Sequence, residues 1–576
     1  MCRKDFAIIV FAFALIYGVA ATDHAQCLSN VRNNNTIPLS GLLHANGTPI
    51  TNRSDIMTVG AVSYDVCVQQ CGPGLESFSW SSFSQEFSAW LLPYLALISQ
   101  LPFGARYRPD NLMSALLTVG SPVLAGYSMY LTLLNARWVT QSFDSITYPN
   151  AKYAARVLSS LQQVPLRVNA DHGLLSSLVV LPQNDDFWSD LADFLNYSHT
   201  WSIAAATSIL WVVIAFIFTV ADSLSTGQAL LYSNGQGVGS IWLWLIPIVI
   251  GWLQLSPKCD YNRLQAAITR ANNIAFVATP DGYARASSLS GKCAISIDAP
   301  REELSSPDEK RTPPVFNYAR ALSWARAAED MLNLFRKVSF NVQCHKPVTP
   351  TEEWQLGGRD GFIDPRNRSG SLNDIQHYCQ HSPRVTYGHL PPGVYRRMFL
   401  ASLFPLLLQW GTTGGAALAL WLTPTTGLGC RSLSYFIYGT LSTLVWILLV
   451  ASSILGDYST SRRTLGRARY HVPHCVRAAK ILSNILRFAG KTLAIINAIG
   501  LIASSVFQFA NVFDNCYCDG SVTGRGALNA YVILDYANIP NMGQVKGAWI
   551  GSVCLASICA IAFVGFINLL SDSVAL

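Results

Sequence analysis

Long apolar stretches separated by polar segments dominate the hydropathy pattern of this chain. Eight of them have about the length that a helix needs to cross a bilayer, roughly 20 residues. They are 87–104, 112–134, 201–221, 238–256, 397–422, 433–455, 491–510 and 547–570. The pattern predicts an all-α integral membrane protein, a polytopic helical bundle of 7–8 transmembrane helices with a small Cys-containing N-terminal ectodomain and a large loop.

The first 21 residues have the pattern of a secretory signal peptide. Arg3 and Lys4 precede the apolar run 6–17, and small residues at 18–21 offer a cleavage site. The run is short for a membrane span, and an uncleaved signal anchor is the alternative. Both interpretations put the next segment, 22–86, outside the cytosol.

Segment 22–86 carries groups that are typical of an extracytoplasmic position. It contains three N-glycosylation sequons, at Asn34, Asn46 and Asn52. It also contains three cysteines that could form disulfides in an oxidising compartment. The candidates for disulfides in this segment and in a later loop are Cys27, Cys67, Cys71, Cys516 and Cys518. We expect Cys516 and Cys518 each to pair with Cys67 or Cys71, which would attach the ectodomain to the last external loop.

Loop charge tests the number of spans. Segment 457–491 contains eight Lys or Arg and a single acidic residue, Asp457. Short basic loops stay in the cytosol, and counting outward puts 136–200 and 257–396 there too. Eight spans would then put the N-terminal segment in the cytosol, against the signal peptide and the sequons. We therefore expect seven full spans with 87–104 re-entrant or interfacial, the N-terminus outside and the C-terminus inside. Eight spans with 457–491 outside is the alternative.

The seven-span topology has two consequences that can be checked. It predicts that the sequons at Asn196 and Asn367 are not used. It places Cys430 outside the cytosol together with the five candidate cysteines, which makes six. The eight-span topology also places an even number of cysteines outside, so the number of cysteines available for disulfides does not distinguish the two topologies. The chain then divides into a signal peptide (1–21), an extracytoplasmic segment (22–86), a first membrane half (87–256), a large hydrophilic loop that we expect in the cytosol (257–396) and a second membrane half (397–576).

The large loop contains three recognisable patterns. Residues 316–338 have an apolar face and a polar face at helical spacing and predict an amphipathic helix, packed on its own domain or at the membrane surface. Residues 300–314 are polar and rich in Pro and Ser and predict a flexible loop. Residues 357–392 are rich in Gly, Pro and Asn and look irregular. In the other loop, 151–164 predicts a short surface helix.

The candidate chemistry of the chain is sparse. Cysteine and histidine residues cluster in the large loop, but no CxxC pair accompanies them, so we expect no metal site. These residues are Cys344, His345, His377, Cys379, His381 and His389. The glycine-rich segment 234–239 lacks the Lys and the preceding strand of a phosphate-binding loop. We predict no cofactor and no catalytic residue, and the question of enzymatic activity stays open, with a non-enzymatic protein favoured.

The apolar stretches contain no charged residue near a predicted bilayer midplane, which argues against an ion-coupled pump. Their polar residues are Gln409, Asn497, Gln508 and Asn568. We expect each to hydrogen-bond a neighbouring helix, with a substrate contact as the alternative. The patterns Gly411-x-x-x-Gly415 and Gly547-x-x-x-Gly551 permit close helix approach and are expected to pack the bundle internally, with homo-oligomerisation as the alternative.

Composition agrees with membrane insertion. Of 576 residues, 51% are hydrophobic and 13% are charged, against about 25% charged residues in soluble domains. The net charge of +7 is spread over the chain, and nucleic-acid binding would need a concentrated basic face.

Three strings resemble uncharacterised multi-pass membrane proteins of filamentous fungi. They are Tyr64-Asp65-Val66-Cys67-Val68-Gln69-Gln70-Cys71-Gly72, Leu91-Leu92-Pro93 with Gln100-Leu101-Pro102-Phe103-Gly104, and Cys516-Tyr517-Cys518-Asp519. The resemblance implies a membrane protein and no particular activity.

The functional expectation is accordingly broad. We predict a non-enzymatic membrane protein of sensor, receptor or scaffold type, in a membrane of the secretory pathway and most simply the plasma membrane, with the lipid bilayer as its partner and an unknown ligand. A transporter or channel for an uncharged or polar small solute is the alternative.

Overall fold

The computed structural model describes residues 24–34, 36–72, 78–169, 173–197, 201–225, 240–288, 293–300, 303–357, 363–379, 390–466, 474–535 and 542–571. The signal-peptide prediction lies outside these residues. The chain is mostly helical, at 72%. The longer helices are α1 His24–Asn33, α2 Trp80–Glu86, α3 Leu92–Ile98, α4 Arg108–Gly120, α5 Pro122–Asp144, α6 Ala151–Ser160, α7 Leu174–Val180, α8 Asp185–Phe194, α9 Ile203–Ser225, α10 Leu245–Leu255, α11 Tyr261–Ile274, α12 Asn317–Gln343, α13 Leu372–Cys379, α14 Val394–Leu422, α15 Cys430–Gly466, α16 His474–Phe509 and α17 Met542–Ser571. The strands are β1 Leu42–Leu43, β2 Ala61–Ser63, β3 Arg167–Val168, β4 Phe276–Thr279, β5 Gly282–Arg285, β6 Ile295–Ser296 and β7 Tyr531–Ile533.

Four helices, α14 to α17, are long and apolar enough to cross a membrane. They coincide with the last four predicted spans, which are confirmed as apolar helices. Two shorter apolar helices, Ile203–Phe218 and Ser240–Leu255, match the predictions at 201–221 and 238–256. At 36 residues α16 would extend about 54 Å, well beyond a bilayer core of about 30 Å, so one of its ends must project from the apolar layer.

The predicted span 112–134 is not one helix, and this corrects the sequence interpretation. Its two halves, α4 and α5, meet at an angle of 107°. Ser121 leaves the helical conformation (φ −150°, ψ 87°) and caps α5 by accepting a hydrogen bond from the Leu124 N–H. Pro122 favours a helix start and disfavours a helical residue before it. At Gly120 a Cβ would overlap the backbone of Ala494, so the bend fits against α16.

Two ends of the bundle can be told apart by what they carry. We call the end beside Cys430 and 510–535 the disulfide end. We call the end beside the described parts of 136–197 and 257–393 the domain end. The hairpin of α4 and α5 begins and finishes at the domain end, where Asp110 lies 3.4 Å from Arg311 and Asn135 accepts from Arg397.

By contrast, residues 80–98 run from one end to the other. Glu86 interacts electrostatically with Arg431 at the start of α15, at the disulfide end. After α3 the chain reaches Gly104, whose carbonyl accepts hydrogen bonds from Tyr261 N and Thr312 Oγ1 at the domain end. A five-residue π-helical stretch, Phe87–Leu91, joins α2 to α3.

A small disulfide-bonded unit covers the disulfide end. Strands β1, β2 and β7 form an antiparallel sheet in which Val62 pairs with both Leu42 and Val532. Segment 510–535 therefore completes a sheet begun in the N-terminal segment. The two share a core that includes Val31, Val59 and Val532.

The two long loops fold together at the domain end. Strand β3 from the first loop pairs with β6 from the second. Arg320 of α12 is fully buried and donates to the Gln162 carbonyl and to Gln163 Oε1, both in the first loop. Arg368 forms a bidentate ion pair with Asp185, at 2.7 and 2.9 Å. No pattern in the sequence predicted this association.

The helix predicted at 316–338 is confirmed as α12, at Asn317–Gln343. Its predicted apolar face is buried along its whole length. These residues are Trp324, Ala328, Met331, Phe335 and Val338. The short helix predicted at 151–164 is confirmed as α6, Ala151–Ser160.

Candidate functional site at the domain end

A buried ion pair joins the domain end to α16. Lys491 Nζ lies 2.5 Å from Asp308 Oδ1, and the Tyr318 hydroxyl donates to Asp308 Oδ2 at 2.6 Å. The Asp308 side chain is 1% exposed. Burial alone would raise the pKa of this carboxyl, but Lys491, Tyr318 and Arg311 together lower the pKa below its ordinary value. Asp308 is therefore a buried carboxylate whose charge depends on Lys491.

A second ion pair joins the same domain to α15. Arg326 of α12 pairs with Asp457, the single acidic residue of the predicted basic loop. Close by, α15 and α16 exchange hydrogen bonds, because Ser452 Oγ donates to the Ser483 carbonyl at 2.7 Å and Ser483 Oγ donates to the Ser452 carbonyl at 2.6 Å. The two helices are thus fixed to each other and to the domain within a few turns.

The segment that carries Asp308 corrects the prediction of a flexible loop at 300–314. Glu309 is fully buried and accepts hydrogen bonds from the backbone N–H groups of Ser305 and Ser306. Ser306 and Glu309 form a capping box around the short helix Pro307–Lys310. Polar composition suggested solvent exposure, but these polar groups are satisfied within the protein.

A cavity of about 1030 Å³ lies between this segment, the start of α4 and the first half of α16. Five basic side chains line it, and they come from three separate parts of the chain. They are Arg106, Lys310, Arg311, Lys480 and Arg487. Such a concentration of positive charge at the boundary of the apolar helices favours an anionic ligand.

The acidic groups at the cavity already have partners. Asp110 lies 3.4 Å from Arg311. Asp298 accepts hydrogen bonds from Tyr261 Oη and Gln265 Nε2, both at 3.0 Å. Lys310, Lys480 and Arg487 form no ion pair with any described residue. Their charges are therefore available to a ligand.

A second polar cluster surrounds the bend between α4 and α5, in the middle of the bundle. Asn497 Nδ2 donates to the carbonyls of Gly120 and Tyr438, at 2.8 and 3.1 Å. Ser121 Oγ donates to the Ser442 carbonyl at 2.7 Å, and Ser442 Oγ donates to Gln409. The network supplies a donor for the Gly120 carbonyl at the bend, and an apolar environment requires such a partner.

The four polar residues predicted to join helices lie in such contacts. Gln409 and Asn497 belong to the central network. Gln508 Oε1 accepts from the Tyr435 hydroxyl at 2.7 Å, and Asn568 Oδ1 accepts from Gln254 Nε2 at 2.8 Å. These contacts account for their presence in apolar helices.

The structure joins the candidate cysteines in three pairs. Cys27 pairs with Cys71, Cys67 with Cys516, and Cys430 with Cys518, with Cα–Cα distances of 5.2, 5.9 and 5.1 Å. The pairing of Cys67 with Cys516 is one of those that we predicted. Cys518 instead joins Cys430, at the start of α15. The sequence offered no signal for that choice.

The sequons differ in accessibility. Asn46 and Asn52 are exposed. Asn34 is half-buried, and its Nδ2 donates to Gln70 Oε1 at 3.2 Å. Asn196 is also exposed. Asn367 is only 2% exposed and donates to the Gln355 carbonyl at 2.7 Å, which leaves no room for a glycan in the folded protein.

The Cys and His residues of the large loop show no metal-ligand arrangement among the described residues. Cys344 is exposed at the end of α12, whereas Cys379 is buried. Burial raises the pKa of the Cys379 thiol to about 12. His381, His389 and the glycine-rich segment 234–239 lie outside the described residues.

The two Gly-x-x-x-Gly patterns have different surroundings. A Cβ at Gly411 would overlap Cys559, and one at Gly415 would lie 3.1 Å from the Ser552 carbonyl oxygen, so both glycines permit contact with α17. Among the described residues, nothing lies within 4 Å of a Cβ at Gly547 or Gly551. The prediction of internal packing was therefore wrong for the second pattern.

No protein-family model, curated protein or solved structure matches the chain. The resemblance to fungal membrane proteins remains a prediction.

Proposed function

We propose that this protein is a plasma-membrane sensor or receptor that couples its disulfide-bonded outer unit to its inner domain through α15 and α16. One observation carries the proposal. Both helices are attached to the outer unit, α15 through Cys430–Cys518 and α16 through the segment that follows it. Buried ion pairs attach the same two helices to the inner domain, through Asp457 and Lys491.

The distribution of cysteines supports the orientation. The six disulfide-bonded cysteines lie at one end of the bundle, which suits an oxidising exterior. At the other end Cys259, Cys293, Cys344 and Cys475 form no disulfide with any described residue. That end also carries basic residues of α16, Arg477, Lys480 and Arg487, and so agrees with the positive-inside rule.

The topology that we propose has seven crossings, with the N-terminus outside and the C-terminus inside. The crossings are 80–98, α9, the apolar segment Ser240–Leu255 that ends in α10, and the four helices α14 to α17. The hairpin of α4 and α5 enters from the inside and returns there. Contacts of α9 support its direction, because Tyr197 before it accepts from Lys258 at the domain end and Leu224 near its end accepts from Lys546 at the start of α17.

The coupling can be tested by hydrogen exchange of the full protein in nanodiscs. Cys430→Ser with Cys518→Ser removes the covalent link between α15 and the outer unit, and leaves the ion pairs of Arg431 with Asp514 and Asp519. It is expected to increase exchange in residues 303–314 of the inner domain. Cys27→Ser with Cys71→Ser is the matched control, because that disulfide joins two parts of the outer unit only. Equal exchange at 303–314 in both variants and the unmodified protein would contradict the proposal.

A transporter for a small polar solute is the second candidate. The observation that favours it is the hairpin whose bend lies in the middle of the bundle beside Asn497 and Gln409, because non-helical backbone at membrane depth is found where it is buried in protein or lines a cavity. Solute flux into proteoliposomes, lost on Asn497→Leu, would favour transport over sensing.

A further inference from the structure

The charges that line the basic cavity at the domain end indicate which ligand chemistry would fit it. Arg311 already interacts with Asp110 and Asp308, at 3.4 and 3.5 Å. Arg106, Lys310, Lys480 and Arg487 form no ion pair with any described residue. Because a phosphomonoester carries about −1.5 to −2 charges at neutral pH, four cations without an ion pair match two such groups better than one carboxylate.

Two arginines that line the cavity also have buried guanidinium nitrogens without an acceptor among the described residues. The Nη1 atoms of Arg487 and Arg311 are shielded from solvent and have no hydrogen-bond partner in the part of the chain that the structure describes. A buried donor without an acceptor is costly and calls for a ligand or an ordered water. Phosphate oxygens supply several acceptors at once, which suits two guanidinium groups on one wall.

The position of the cavity on α16 indicates a lipid as the source of the phosphates. Lys480, Asn484 and Arg487 follow helical spacing and line the cavity over about 10 Å of the helix. About 100° around the same helix, an apolar stripe of Ile481, Ile485 and Phe488 is 57–75% exposed. A headgroup in the cavity would therefore leave its acyl chains beside this stripe.

We propose that this cavity is a binding site for a multiply phosphorylated lipid headgroup of the membrane leaflet on the domain side. The volume of about 1030 Å³ accommodates a phosphorylated inositol ring, since ligand cavities are commonly about 300–1000 Å³. Basic cavities beside transmembrane helices are suited to such headgroups. The site does not depend on the coupling proposed above, because its residues and its ligand can be tested without a signal.

The test measures binding of the full protein in phosphatidylcholine nanodiscs with and without phosphatidylinositol bisphosphate, by native mass spectrometry. Lys480→Gln is expected to weaken binding about fivefold, and Lys480→Gln with Arg487→Gln about 25-fold, at about 1 kcal/mol for each basic residue. Arg477→Gln is the matched control, since it removes an exposed cation from the same helix outside the cavity. It is expected to change binding less than twofold.

Three further outcomes are decisive. Equal weakening by Lys480→Gln and Arg477→Gln would mean general attraction to a charged surface and would overturn the site. Absence of bisphosphate-dependent binding in the unmodified protein would overturn it as well. Soluble inositol trisphosphate should compete with the lipid, and tighter binding of this soluble compound than of the lipid would keep the phosphate chemistry but reject the lipid source. All three substitutions are on exposed or half-exposed positions, and unchanged melting temperatures would confirm that the variants fold.

Discussion

Removing Lys491 should destabilise the inner domain more than removing any exposed lysine of α16. Lys491→Met leaves Asp308 buried at 1% exposure without its nearest cation. Breaking a buried ion pair on one side costs about 3–5 kcal/mol. Tyr318 and Arg311 remain beside the carboxylate, so we expect the lower value, about 3 kcal/mol.

Hydrogen exchange of residues 303–314 in nanodiscs measures this loss locally, since it reports the free energy of opening of that segment. A loss of about 3 kcal/mol raises the exchange rate about 150-fold where opening is at equilibrium, because each 1.4 kcal/mol is about tenfold. Lys480→Met is the control, as Lys480 is exposed, and it should change the free energy of opening by less than about 0.5 kcal/mol.

The stability of the inner domain should change with pH in opposite directions in the unmodified protein and in Lys491→Met. In the unmodified protein the pKa of Asp308 lies below its unfolded value of about 3.9. Its stabilising contribution is therefore present above that pH and is lost as the pH falls through the folded pKa. In Lys491→Met, burial becomes the dominant influence and raises the pKa of Asp308 above the unfolded value. The variant should regain stability as the pH falls toward the unfolded pKa.

The double variant Asp308→Asn with Lys491→Met completes the cycle. Replacing both members of a buried pair is often close to neutral, so the double variant should recover most of the loss. Our account of the pair would be refuted if residues 303–314 exchanged at the same rate in Lys491→Met and Lys480→Met. It would also be refuted if the protection of these residues in Lys491→Met fell steadily with decreasing pH, as in the unmodified protein.

Three other predictions follow from contacts elsewhere in the chain. Asn497→Leu should lower the free energy of unfolding by about 2 kcal/mol, because the carbonyls of Gly120 and Tyr438 lose their donor; a thermal melt in detergent measures it, with the exposed Ile496→Leu as the control. Gly120→Leu should abolish the folded bundle in the same melt, since its side chain would overlap the Ala494 backbone. Glycopeptide mapping should find a glycan at Asn46 and none at Asn367, whose side chain is buried.

Hydrophobic periodicity predicted where the helices lie along the chain, but not whether an apolar stretch forms one straight helix or bends. The four long apolar helices have uninterrupted apolar runs, and α12 has an apolar face at helical spacing, so all five could be predicted from the sequence. Span 112–134 was equally apolar, yet it bends at Gly120-Ser121-Pro122. A proline directly after a serine is a local signal for a helix start, and hydropathy averaged over a window does not register it.

The candidate site was beyond sequence reasoning for a different reason. Its cations lie at positions 106, 310, 480 and 487, in three segments that only the fold brings together. No spacing rule links them. The polar stretch around Asp308 also misled us, because composition cannot tell a polar group facing water from one satisfied by a buried partner such as Lys491.

The parity of the crossings shows what such reasoning can and cannot determine. A cytosolic basic loop and an external N-terminus require that one of eight apolar stretches fails to cross, and any one stretch before the basic loop satisfies this requirement. We chose 87–104 because it contains two prolines. In the proposed topology 80–98 crosses and 112–134 returns, so the number of crossings and the orientation are unchanged. Parity constrains only the total number of crossings. Which apolar stretch fails to cross depends on local contacts, here those of Asn497 and Ser442 with the Gly120–Ser121 bend.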